Sequence, residues 1–156
     1  MRITDRFSSE HDVFLEQLEV LESLTSSGAS VEALTSAIRT LAKPLLVHAE
    51  AEERALFPAL EPSMGGDGGP LAILTDEHAT LHGQIEELTG QPARVDFERV
   101  FTRFRALLRA HIDKEEQVLF PAAAQILGDD RLERLGGSGP RSAGEASARE
   151  RRAMAV

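Results

Sequence analysis

An eleven-residue pattern occurs twice in this chain, as HAEAEERALFP at 48–58 and as HIDKEEQVLFP at 111–121, with six of the eleven positions identical. The histidine, the two adjacent glutamates and Leu-Phe-Pro keep their spacing in both copies. A second pair lies upstream of each: SSEHDVFLEQL at 8–18 matches TDEHATLHGQI at 75–85, sharing Glu10/Glu77, His11/His78 and Gln17/Gln84, with apolar residues at Phe14/Leu81 and Leu18/Ile85. The chain therefore reads as one helical hairpin written twice, and its fold must pack two like halves together. One position breaks the match: Leu15 of the first half is His82 in the second.

Apolar residues recur at spacings of three and four, which is the helical period. Helices are expected at about 5–26 (Phe7, Phe14, Leu18, Leu21, Leu24), 30–60 (Leu34, Ile38, Leu41, Leu45, Leu56), 71–89 (Leu74, Leu81, Ile85, Leu88) and 94–126 (Phe97, Phe101, Phe104, Leu108, Val118, Leu119). Gly28 suits a left-handed cap after the first, and Ser30 an N-cap before the second. Pro44 should kink the second helix, because it removes a backbone donor and crowds the preceding turn. PSMGGDGGP at 62–70 and Gly90 with Pro92 break the pattern between helices. Four amphipathic helices with short connections predict an all-α, antiparallel up-down four-helix bundle over 1–128. Residues 129–156 are expected to form one short helical turn, DDRLERLG, and then a flexible tail of Gly, Ser, Ala and Arg with almost nothing to bury.

A chain of 156 residues suits one domain, and 42% apolar residues suffice for a core. The net charge of −9 argues against nucleic acid and anionic membranes as partners. With no cysteine there is no thiolate ligand, nucleophile or disulfide. The N-terminal MRITDRFSSEHD has no apolar run behind its charges, and no stretch reaches the roughly 20 apolar residues of a membrane span. A soluble cytoplasmic protein is the expectation.

All five histidines fall on or beside the apolar stripes: His11 between Phe7 and Phe14, His48 after Leu45, His78 between Leu74 and Leu81, His82 one turn after His78, and His111 after Leu108. Residues four apart differ by only about 40° around a helix, so Glu52 and Glu115 face inward with His48 and His111. Seven polar groups in so small a core are costly unless they share a cation. Five imidazoles and two carboxylates exceed one tetrahedral zinc. They suit two first-row metals joined by carboxylate bridges, with three imidazoles on one metal and two on the other, the latter keeping an open position. Iron fits such nitrogen and oxygen ligation. No histidine follows a glutamate by three residues, as a ferritin-like site requires, and His-Glu-x-x-His is absent. Leu-Phe-Pro reads as packing and helix bending, and Glu53 and Glu116 as solvated or salt-bridged residues at the edge of the inward face.

The order His11, His48-x-x-x-Glu52, His78-x-x-x-His82, His111-x-x-x-Glu115 resembles the hemerythrin-like family of HHE cation-binding domains over about 5–126. The resemblance implies a bundle around a non-haem di-iron centre with an oxo or hydroxo bridge. His78, His82 and His111 would hold one iron, His11 and His48 the other, at which dioxygen would bind; Glu52 and Glu115 would bridge. In the classical oxygen carriers the last carboxylate is an aspartate five residues after its histidine. Here that position is Glu116, and helical geometry favours Glu115.

The expected function is binding of, or reaction with, a small oxidant (dioxygen, nitric oxide or hydrogen peroxide) at the open iron. The alternatives are iron storage or homeostasis, and catalase-like turnover of peroxide. No tyrosine or tryptophan is present to carry a stable side-chain radical, and no protein partner is indicated.

Overall fold

The computed structural model describes residues 1–137. The segment from 138 onward, where most of the flexible tail is expected, lies outside the described residues. Helix α1 spans Ile3–Ser26 and α2 Val31–Ala51. A π-helical turn, Glu52–Leu56, carries α2 into α3, Phe57–Met64. Helix α4 is Pro70–Thr89 and α5 Arg94–Lys114; a second π turn, Glu115–Leu119, leads into α6, Phe120–Leu127. Helix α7, Asp129–Gly137, follows. The α1–α2 connection uses the residues the sequence marks: Gly28 takes φ +80° and the Ser30 hydroxyl accepts from the Ala33 N–H at 3.2 Å.

Helix α1 packs on α2 and α5, and α4 on α2 and α5, which closes a four-helix ring. Each α–π–α run is one long rod of that ring, and Pro44 lies inside α2 without interrupting it. Helix α7 lies against α1 and α6 and inserts Leu132, which is fully buried. The boundary expected at 128 thus falls before a helix that shares the core of the bundle.

The π turns have a readable cause. His48, Glu52, Leu56 and Leu60 are all buried, as are His111, Glu115, Leu119 and Ala123. These are steps of four, and in an α-helix each step overshoots by about 40°. Three steps would carry the last residue about 120° off the face of the first. One wider turn absorbs the excess: the Phe57 N–H donates to the Glu52 carbonyl and the Phe120 N–H to the Glu115 carbonyl, five residues back. Pro58 and Pro121 come next. Each lacks an N–H and crowds the carbonyl four residues before it, which disfavours a tight α turn there. Val118, expected on the inward stripe, is consequently 59% exposed, while Leu119 takes the inward place.

The apolar core is divided in two. One part holds Phe14, Leu18, Leu45, Leu81, Ile85, Phe104 and Leu108. The other holds Phe7, Leu56, Leu60, Leu74, Leu119 and Leu132. Between them runs a polar layer, His11, His48, Glu52, His78, His111 and Glu115, each at most 7% exposed.

Candidate metal centre

Four helices each bring one histidine to this layer. His11 and His48 bring their Nε2 atoms to 3.0 Å from each other, and so do His78 and His111. The Glu52 carboxylate stands between the pairs, Oε1 3.5 Å from His48 Nε2 and Oε2 3.3 Å from His78 Nε2. Glu115 does the same from the other side, Oε2 3.1 Å from His11 Nε2 and Oε1 3.1 Å from His111 Nε2. Each glutamate therefore spans both histidine pairs. Two four-ligand clusters result, His11/His48/Glu52/Glu115 and His78/His111/Glu52/Glu115, and within each the ligand atoms lie within 4.8 Å of one another.

Close as they are to imidazole nitrogens, none of the four Glu52 and Glu115 oxygens makes a hydrogen bond, though all are fully buried. A buried carboxylate without partners is expensive. Paired nitrogens and orphaned oxygens converging on common points form the arrangement that a cation at each point would satisfy. The donor set, imidazole nitrogen with carboxylate oxygen, suits a divalent or trivalent first-row metal.

The outward nitrogens are held as well. Glu116 accepts from His11 Nδ1 at 2.6 Å, Glu10 from His48 Nδ1 at 2.6 Å, Glu53 from His78 Nδ1 at 2.8 Å and Glu77 from His111 Nδ1 at 2.8 Å. A carboxylate only accepts, so each Nδ1 carries a proton, and in the neutral imidazole the lone pair is left on the inward Nε2. Phe120 stacks on His11 (5.6 Å, 4°) and Phe57 on His78 (5.8 Å, 7°), fixing the ring planes. The phenylalanine of Leu-Phe-Pro is thus a support for the ligand of another helix.

Charges in the cation-free site compensate one another. Burial alone would lower the pKa of His48, but its contacts with Glu10 and Glu52 raise it to about 9. His111 is likewise raised, by Glu115 and Glu77 against its burial. Burial pushes Glu115 up, yet His11 and His111 hold it down at about 2.

Six of the seven ligands expected from the sequence meet here, and His82 does not. Its side chain is 53% exposed, with Nε2 3.9 Å from Glu86. The buried stripe of α4 runs Leu71, Leu74, His78, Leu81, Ile85, Leu88, in alternating steps of three and four. That stripe leans to one side of His78, and His82 turns about 40° to the other side. The expected division of three imidazoles and two is therefore replaced by two and two. Glu53 and Glu116 do sit at the edge of the inward face, but their partners are histidines of neighbouring helices. The role of Glu10 and Glu77 escapes single-helix reasoning; the signal available was the Glu-His pair repeated at 10–11 and 77–78.

Beside the imidazoles lies a small void lined by Leu45, Leu81, Ile85, Leu108 and Ile112. A surface groove bordered by Phe14, Pro44 and Val47 also reaches His48 from outside.

The family model of the hemerythrin HHE cation-binding domain matches residues 2–123, and the chain belongs to that family. Three relatives, each titled "uncharacterized protein", one from Mycobacterium bovis and two from strains of Mycobacterium tuberculosis, are 32% identical over 92 residues, 58% of this chain and 55% of theirs. The match thus spans about half the length of these curated relatives. No solved structure matches significantly. Among the described residues, no helix is long and apolar enough to cross a membrane.

Proposed function

We propose that this chain holds two iron ions, one in each histidine pair, bridged by Glu52 and Glu115, and that it binds or reacts with a small oxidant there. The observation that carries this reading is the pair of buried two-histidine, two-glutamate clusters sharing both carboxylates. Four protein donors at each point leave room for further ligands on a metal that prefers five or six. Bound iron would supply one-electron redox chemistry at two adjacent positions.

The protein's own contribution is orientation and exclusion. Glu10, Glu53, Glu77 and Glu116 fix which imidazole nitrogen faces inward. The leucine- and isoleucine-lined void beside the imidazoles suits a small neutral molecule such as dioxygen, nitric oxide or peroxide, and is hostile to charged ones. Besides the four imidazoles, its lining offers no hydroxyl, carboxyl or amine.

The test is anaerobic loading with ferrous iron, followed by metal analysis and an absorption spectrum through exposure to air. Two irons per chain and an oxygen-dependent band are expected. A band that fades when oxygen is removed marks a binder, and an irreversible change marks turnover. Failure to retain iron sinks the reading.

A further inference from the structure

The four outer hydrogen bonds form a closed circuit. Glu10 of α1 holds His48 of α2. Glu53, in the π turn after α2, holds His78 of α4. Glu77 of α4 holds His111 of α5. Glu116, in the π turn after α5, returns to His11 of α1. Each of the four inward histidines is thus gripped from a neighbouring rod, and the circuit passes once around the bundle. An acceptor for each Nδ1–H could have been a backbone carbonyl, a hydroxyl or an amide. All four positions carry a full negative charge instead.

Among the described residues, and counted with Glu52 and Glu115, six carboxylates surround the four imidazoles, against two side-chain cations in ion pairs with them, Arg6 at 3.4 Å from Glu10 and Lys114 on Glu77. Outer charge acts on a bound cation in two ways. A carboxylate on Nδ1–H makes the imidazole a stronger donor at Nε2. The charge itself also attracts a trivalent ion more than a divalent one, most at Glu77, 15% exposed, and less where water screens Glu10, Glu53 and Glu116, 36–41% exposed. Both effects favour the higher oxidation state.

We propose that Glu10, Glu53, Glu77 and Glu116 are positioning residues that together hold the metal pair toward its oxidised, trivalent state. This rests on the site being a two-iron centre. Neutral acceptors at the same four positions would leave the ligands in place and make the pair easier to reduce.

The test is a spectroelectrochemical titration of the iron-loaded full chain against soluble mediators, with metal content measured on each sample. Glu10→Gln, Glu53→Gln, Glu77→Gln and Glu116→Gln each keep an acceptor and remove one charge. Each single variant is expected to retain two irons and to raise the reduced-to-oxidised ratio at a fixed poise. The quadruple variant should raise it at least tenfold, about 59 mV for a one-electron couple. Glu19→Gln, an equal charge loss at an exposed position of α1, should shift it far less. The singles decide the matter if the quadruple variant does not load. Unchanged ratios in iron-loaded variants overturn the proposal, as does a shift equal to that of Glu19→Gln. Loss of iron from all four singles also overturns it, because the carboxylates would then only hold the ligands. Failure of the unmodified chain to bind iron is a different result, which removes the two-iron reading itself.

Discussion

The two hairpins supply the centre with the same parts in the same register: Glu10 and Glu77, His11 and His78, His48 and His111, Glu52 and Glu115, Glu53 and Glu116, Phe57 and Phe120. They differ around those parts. Glu77 is ion-paired with Lys114 and its side chain is 15% exposed, whereas Glu10 meets Arg6 at 3.4 Å and is 36% exposed. Phe7 and Phe14 press edge-on against His48, where the matching positions of the second hairpin are Leu74 and Leu81. The position that is Leu15 in the first hairpin and His82 in the second lies on the flank of its helix in both. The two halves keep the same inward groups and differ in what packs around them.

The sharpest way to break this equivalence is at the shared ligands. Glu52→Ala or Glu115→Ala removes a donor from both clusters at once, so both are expected to cost the chain both ions and the melting temperature gained on loading. Retention of one ion, measured by metal analysis, would show that the two carboxylates are not shared.

A smaller loss is expected from the unshared ligands. His48→Ala should lose the ion of the first cluster and His111→Ala that of the second, one each, with a partial fall in melting temperature. Unchanged iron content in either variant would count decisively against the site. Complete loss in one and half in the other would show that the halves load in order rather than alike.

For the cation-free chain the raised pKa of His48 gives a pH dependence. Its ordinary value is 6.5 and its folded value about 9, so the folded state binds the proton more tightly than the unfolded chain. The stabilisation is complete below about 6.5 and is lost as pH rises through about 9. Urea midpoints measured without metal should therefore fall between those values, and the fall should be shallower in His48→Gln. An equally steep fall in that variant would show that His48 is not the group that carries the dependence.

The smallest effect belongs to His82. His82→Ala should leave two ions bound and change stability by no more than about 0.5 kcal/mol, as for other exposed positions. Loss of one ion would restore a third imidazole to the second cluster and end the equivalence of the halves.

The helices, their order, the bundle and the six residues that meet in the polar layer could be read from spacing, because burial imposes a period on each helix separately. Periodicity also contained the π turns, in the steps of four from His48 to Leu60 and from His111 to Ala123. Reading those steps as an ordinary α stripe placed Val118 inside. His82 was misplaced for a related reason: four residues from a buried histidine is near the core only if the stripe leans that way.

The sequence by itself determined the repeat, the bundle and a core unusually rich in inward-facing histidine and glutamate. Those follow from periodicity and desolvation, which act within one helix at a time. Only the tertiary structure decided that each cluster takes two imidazoles, that Glu52 and Glu115 belong to both, and that Glu10, Glu53, Glu77 and Glu116 each serve a histidine of the neighbouring rod. Those are relations between helices, and they depend on how far each rod is rotated and slid against its neighbours, which no single stripe encodes.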